Sequence, residues 1–142
     1  MKKVFFDTSV ILAACKSKSG GSSFILMLCR KGKIKGCISR YVVYEIKKSS
    51  SILSQQEKQR LNFLILQCKL EITEDPPKKI VEKYYSIINK KDAPILASAI
   101  SANTDYLVTL NSKHFMRPEL KIAVKSMKIV TPKDFINIER FR

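Results

Sequence analysis

Four side chains with oxygen ligands, far apart along the chain, stand where a fold could bring them together: Asp7, Glu45, Asp92 and Asn111. Asp7 directly follows the apolar run Val4-Phe5-Phe6. Such a run reads as a buried strand, and a carboxylate at the end of one is costly without a partner. Thr8 and Ser9 set two hydroxyls beside it and can cap a helix expected over 10–16. Glu45 falls inside a helix expected over 41–48, capped by Ser39, with Val42, Val43 and Ile46 around it. Asp92 takes an N-cap position, Pro94 lies in the first turn, and Ile95, Leu96, Ala99 and Ile100 form one apolar helical face. Asn111 comes straight after 106–110, a short apolar stretch that reads as another buried strand.

Carboxylates held close raise one another's pKa or need a counter-ion. A hard divalent cation, Mg²⁺ or Mn²⁺, suits oxygen ligands and keeps several waters. One such ion, or two about 3.5–4 Å apart, can turn a bound water into a nucleophile and stabilise a phosphodiester during in-line displacement. The rest of the chain is strongly basic: 27 Lys+Arg against 12 Asp+Glu give a formal charge of +15. That field attracts polyanions, nucleic acid first and an anionic membrane second. An acidic centre inside a basic protein has one shared explanation, metal-dependent cleavage of a nucleic acid.

Lys16, Lys18, Arg40, Lys113 and Arg117 are candidate contacts to the nucleic-acid backbone, because their loops are expected near the same sheet edge. His114 is a candidate for orienting water or phosphate. Each residue also has a plainer reading. Solvated surface charge accounts for the five basic residues, a helix cap for Asp92, a surface helix position for Glu45 and an idle loop side chain for His114.

The elements that must position these groups alternate between strand and helix. Strands are expected over 4–6, 34–39, 70–73, 106–110 and 129–130. Helices are expected over 10–16, 24–30, 41–48, the stretch after a Ser54/Glu57 capping box, 78–89, the stretch from Asp92 to a left-handed stop near Asn103, and a last one opened by Thr131-Pro132. On the helix after Ser54, Leu61, Leu64, Ile65 and Cys68 share one face. The stretch 116–128 reads as a loop. This alternation predicts an α/β sandwich around a parallel sheet, where ligands gather beyond the C-terminal strand ends. At 142 residues the chain reads as one domain, 1–142. Cys15, Cys29, Cys37 and Cys68 form no CxxC pair and no zinc spacing, so buried free thiols in a reducing cytoplasm are expected. No run is long enough to cross a bilayer. Residues 1–15 carry a Lys pair, an apolar stretch and Leu12-Ala13-Ala14-Cys15, but Asp7 and Thr8 interrupt them, which argues against a lipoprotein signal.

Taken together, VFFDTSV, SRYVVYEI, DAPILASAI and DYLVTLNSKHF, in that order, resemble a PIN domain, and TPKDF recurs in relatives of that group. The resemblance covers nearly the whole chain. It implies a three-layer α/β/α sandwich with a five-stranded parallel sheet. It also implies Mg²⁺- or Mn²⁺-dependent hydrolysis of single-stranded RNA. Small free-standing members are often toxins of the VapBC type, paired with an antitoxin protein and frequently homodimeric. By position, Asp7, Glu45 and Asp92 would be the metal-site acids, with Thr8 or Ser9 as the adjacent hydroxyl. The fourth place, commonly an Asp, is here Asn111. The amide keeps an oxygen ligand and loses a charge, so weaker metal binding and weaker catalysis are implied. A catalytically weakened module that binds RNA or a protein partner is the alternative. Asp105 precedes its strand and is expected at the wrong end to replace Asn111.

Overall fold

A computed structural model, which describes residues 1–140, shows a five-stranded, all-parallel sheet flanked by helices. In chain order the elements are β1 (Lys3–Phe6), α1 (Thr8–Lys16), α2 (Gly21–Arg30), β2 (Lys35–Ser39), α3 (Arg40–Ser49), a 3₁₀ turn (Ser50–Ile52), α4 (Gln55–Gln67) and β3 (Glu71–Thr73). They continue with α5 (Lys78–Lys83), α6 (Ala93–Ser101), β4 (Tyr106–Val108), α7 (Ser112–Phe115), α8 (Pro118–Ala123), β5 (Lys128–Val130) and α9 (Pro132–Glu139). The strand order is β3-β2-β1-β4-β5. Val4, Phe5 and Phe6 are all 0% exposed, and Tyr106, Leu107 and Val108 are buried as well. Successive strand residues point to opposite faces, so burial of all three in a row means that both faces of β1 and β4 are covered. The three-layer expectation is met.

From β1 the chain steps outward to β2 and β3, then returns to the other side of β1 for β4 and β5. The direction therefore reverses between β1 and β4. That is the place in an open parallel sheet where loops diverge and leave a crevice beyond the strand ends. The pairing of Phe6 with Val108 sets the two strands level there. Asp7 continues the ladder, its N–H donating to the carbonyl of Val108 at 3.0 Å.

Local signals read from the sequence account for most boundaries. Ser39 accepts the N–H of Val42 and starts α3, Ser54 and Glu57 form a complete capping box, and Thr131 accepts from Asp134 at the start of α9. Asn103 is left-handed, with φ of 54°, just past α6. Four expectations are corrected. Helix α1 begins at Thr8 rather than at 10, because Asp7 itself takes the N-cap position. The single helix over 78–89 ends at Lys83 and continues as turns, with Val81, Tyr84 and Ile88 buried. The stretch 116–128 contains α8, opened by Pro118 in its first turn and anchored by the buried Leu120. Ile65 is 43% exposed while Leu61, Leu64 and Cys68 are buried, so the apolar stripe of α4 is narrower than its sequence.

The four cysteines are free and buried. Burial pushes the Cys29 and Cys37 thiols up to about 12, which leaves them without thiolate chemistry. Among the described residues no helix is long and apolar enough to cross a membrane.

Gly36 in β2 has a role that strand propensity hides. A Cβ there would lie 2.7 Å from the Cys29 Sγ and 2.8 Å from carbons of Leu70 and Phe6. Helix α2, the neighbouring strand β1 and the residue before β3 therefore close directly onto its backbone. Gly36→Ala should cost about 1–3 kcal/mol through overpacking, read as a lower urea midpoint with an unchanged slope.

Candidate active site

Asp7, Thr109 and Asn111 lie at the C-terminal ends of β1 and β4, side by side at the reversal of strand order. Asp7 is 5% exposed. Its Oδ2 accepts two hydroxyl hydrogen bonds, from Ser9 Oγ and from Thr109 Oγ1, each 2.8 Å. The same hydroxyls tie the β4 loop down: Leu110 N–H donates to Ser9 Oγ at 3.1 Å and Asn111 N–H to Thr109 Oγ1 at 2.9 Å. Burial pushes the Asp7 carboxyl above its ordinary value of 3.8. The bonds from Ser9 and Thr109 and the Thr8 N–H pull it back, and the negative charge of Asp92 pushes it up again.

Glu45 reaches the site from α3, which begins where β2 ends. Its Oε1 accepts from Thr8 Oγ1 at 2.8 Å. Burial raises its pKa, the Thr8 bond lowers it, and the charges of Asp7 and Asp92 raise it, with Lys91 opposing them. Each of these two carboxyls thus feels Asp92, so the three acids share one electrostatic neighbourhood.

Asp92 sits at the N-cap position of α6, but its side chain makes no capping bond. The sequence-level cap is thus positional only. The carboxylate turns instead to His114, whose Nδ1 is 2.8 Å from Asp92 Oδ2. Asn111 Nδ2 lies 3.1 Å from the same ring nitrogen. His114 and Asn111 both belong to the segment around α7, whose N–H groups at 114 and 115 return to the Asn111 carbonyl.

The structure therefore brings Asp7, Thr8, Ser9, Glu45, Asp92, Asn111 and His114 to one sheet edge. Lys113 and Arg117 are exposed on the same α7 segment. Arg40, at the start of α3, stands 3.9 Å from Asp75, both of them well exposed, where an ion pair contributes little. Lys16 and Lys18 do not join the acids. Lys16 ends α1, about 12 Å along the helix from Thr8, and both lysines line a separate groove with Arg60 and Phe63 of α4. Asp105 is at the opposite end of β4, where its carboxylate accepts the Lys3 N–H at 2.8 Å. Two residues of the site escaped the sequence reading. Thr109 is 0% exposed and holds Asp7. Its only signal is a hydroxyl two places before Asn111, at a strand end level with Asp7. Lys91 precedes Asp92 by one residue and carried no signal among so many lysines.

The PIN domain profile matches residues 3–113, which spans all four oxygen-bearing residues. The chain belongs to the PIN domain family. Solved structures show the same fold at low sequence identity. A chain of VapBC2 from Rickettsia felis, crystallised with a DNA fragment from its promoter, is 18% identical with a TM-score of 0.69, covering 91% of this chain and 98% of that one. A chain of DNA-bound VapBC from Salmonella typhimurium is 17% identical with a TM-score of 0.65, over 93% and 99%. VapBC-1 from nontypeable Haemophilus influenzae gives 16% and 0.63, over 92% and 98%. No protein with a curated description matches at the sequence level.

PIN domains as a family imply a divalent metal ion. In this PIN domain, among the described residues, no three His, Cys, Asp or Glu side chains stand close enough to enclose one. The donor set nevertheless fits a hard cation. Its members are carboxylates, hydroxyls and an amide, and two of the carboxyls are raised chiefly by burial, with a smaller push from neighbouring negative charge that a cation would offset. Mg²⁺ is commonly held by one or two carboxylates, with water in the remaining positions.

Two outcomes test the electrostatics of this PIN domain. The folded state holds the Asp7 proton more tightly than the unfolded chain does. Stability is therefore greatest while Asp7 is protonated and is lost as the pH rises through its folded pKa. In EDTA, Asp7→Asn should melt higher than the wild type at pH 7, and calorimetry should show that gain shrinking as the pH is lowered towards 3.8. Thr109→Val keeps the shape but removes a buried donor to Asp7 and the acceptor of the Asn111 N–H. It should cost about 1–3 kcal/mol in urea unfolding.

Proposed function

We propose that this PIN domain is a metal-dependent endoribonuclease that hydrolyses single-stranded RNA, and that it is the toxin of a toxin–antitoxin pair. The observation that carries the nuclease reading is the convergence of Asp7, Glu45 and Asp92 on one buried sheet edge in a protein of charge +15. Without a cation between them these acids destabilise one another. With one they become ligands.

Asp7, Glu45 and Asp92 would hold Mg²⁺ or Mn²⁺ together with water. Asn111 would stand where a fourth acid is common in the family. The ion would supply a nucleophilic water and offset charge on the phosphodiester undergoing displacement. Thr8 and Ser9 keep Glu45 and Asp7 in place through their 2.8 Å hydrogen bonds. Lys113, Arg117 and Arg40, exposed around this edge, would hold the RNA phosphates, a contact weakened by salt. Lys16 and Lys18 line a different groove and would contribute only to a longer footprint. The antitoxin pairing rests on the structural neighbours, in which a chain of this fold comes from a VapBC structure.

A second reading has a specific observation behind it. The neutral Asn111, and acids too far apart to enclose an ion unaided, suit a domain that binds RNA or a partner without cutting. One assay separates the two. Purified protein is incubated with a mixed RNA pool in Mg²⁺, in Mn²⁺ and in EDTA, and products are resolved by length. The nuclease reading expects discrete fragments with either metal and none in EDTA, with Asp92→Ala slowing cleavage at least about a hundredfold, the scale on which losing a metal or its support acts. Salt-sensitive RNA retention with no turnover in either metal would select the binding module instead.

A further inference from the structure

Asp92 is a buried carboxylate, 8% exposed, at the start of a helix whose N–H groups it does not cap. A carboxylate in that position needs a donor. His114 supplies it at 2.8 Å through Nδ1. Asp92 is acceptor-only when ionised, so the ring hydrogen belongs on Nδ1. That assignment has a consequence for Asn111, whose amide nitrogen is drawn 3.1 Å from the same Nδ1. An N–H cannot face an NH₂ as its acceptor. Which end of an amide faces a partner is set by its hydrogen bonds, so the Asn111 oxygen turns to the ring N–H and accepts alongside Asp92.

The imidazole is not what closes the turn it sits in. His114 is about one-third exposed, whereas its neighbour Phe115 is 0% exposed and pins α7 to the core. Backbone bonds from residues 114 and 115 to the Asn111 carbonyl close that turn without the ring. The core thus fixes α7, and α7 presents the imidazole to Asp92.

We propose that His114 is a positioning residue for the metal centre: its Nδ1–H orients the Asp92 carboxylate and the Asn111 amide oxygen together, so that one donor fixes the third and fourth oxygen positions at once. The proposal rests on the metal-binding reading given above. It makes Asn111 less a substitute ligand than a group steered by the ring. It also assigns the site's tolerance of a neutral fourth residue to His114, since hydrogen-bonded partners of ligating carboxylates typically change metal affinity about 10–100-fold.

The test is Mn²⁺ binding by the full chain, followed by electron paramagnetic resonance, with thermal unfolding in EDTA recorded for every variant. His114→Ala should bind Mn²⁺ about 10–100-fold more weakly than the wild type, and it should melt lower in EDTA because Asp92 loses its donor. His114→Asn places an NH₂ near the Nδ1 position and should restore most of the affinity. His114→Gln places its NH₂ near the Nε2 position and should not. Equal affinity in His114→Ala and wild type would overturn the proposal, as would equal rescue by Asn and Gln, or an affinity loss that disappears when each variant is measured well below its own melting temperature. A wild type that binds no Mn²⁺ at millimolar concentration would remove the metal-binding reading itself, and this proposal with it.

Discussion

Asp7 cannot leave water for the end of a fully buried strand unless something stabilises its charge. Phe5 and Phe6 before it are wholly buried, and the chain has no freedom to swing the carboxylate outward. The answer is two hydroxyls, Ser9 from its own helix and Thr109 from the neighbouring strand, both on Oδ2. That arrangement depends on register. Phe6 is level with Val108, so Asp7 and Thr109 are level one residue later. A slip of one residue would turn Thr109 to the other face of the sheet and leave Asp7 without that donor. The crevice, the loop after β4 and the placement of Asn111 all follow from the same pairing.

The charge distribution has a similar logic. The chain carries a net charge of +15, yet the fold gathers three acids in one place and buries two of them. Surface lysines beyond a Debye length of about 8 Å are screened and do little for these carboxyls. Lys91 is the lysine whose charge opposes the upward push on Glu45. The centre therefore keeps a local negative field inside a positive envelope. A polyanion is drawn to the outside of such a protein and needs a cation to approach its middle, which is the electrostatic sense of the nuclease reading.

Much of the fold is legible along the chain because its signals are local. Ser39, the Ser54/Glu57 pair, Thr131 and Asn103 each act on backbone groups a few residues away, and each behaves as its residue type requires. The misreadings arise where tertiary contact decides. Ile65 has the right spacing to face inward, but the core needs a narrower stripe of α4 and leaves it out. The helix expected over 78–89 is wrong in its continuity, since turns can present Tyr84 and Ile88 to the core as well as a helix can. Gly36 looks like a weakness in a strand and is the point where Phe6, Cys29 and Leu70 close in.

Residue types and their spacing by themselves determined the alternation of strand and helix, the parallel sheet, and the placing of an acid or amide beyond particular strands. Those are matters of periodicity and of hydrogen bonds between near neighbours, which a linear chain displays. Tertiary structure alone decided which groups touch. Thr109 finds Asp7 across 102 residues, Thr8 finds Glu45 across 37, and His114 takes Asp92 away from the helix it was expected to cap. Such pairs depend on strand order, register and the angle at which each helix leaves the sheet. Those are set by burying the whole core at once, and no segment carries that information alone.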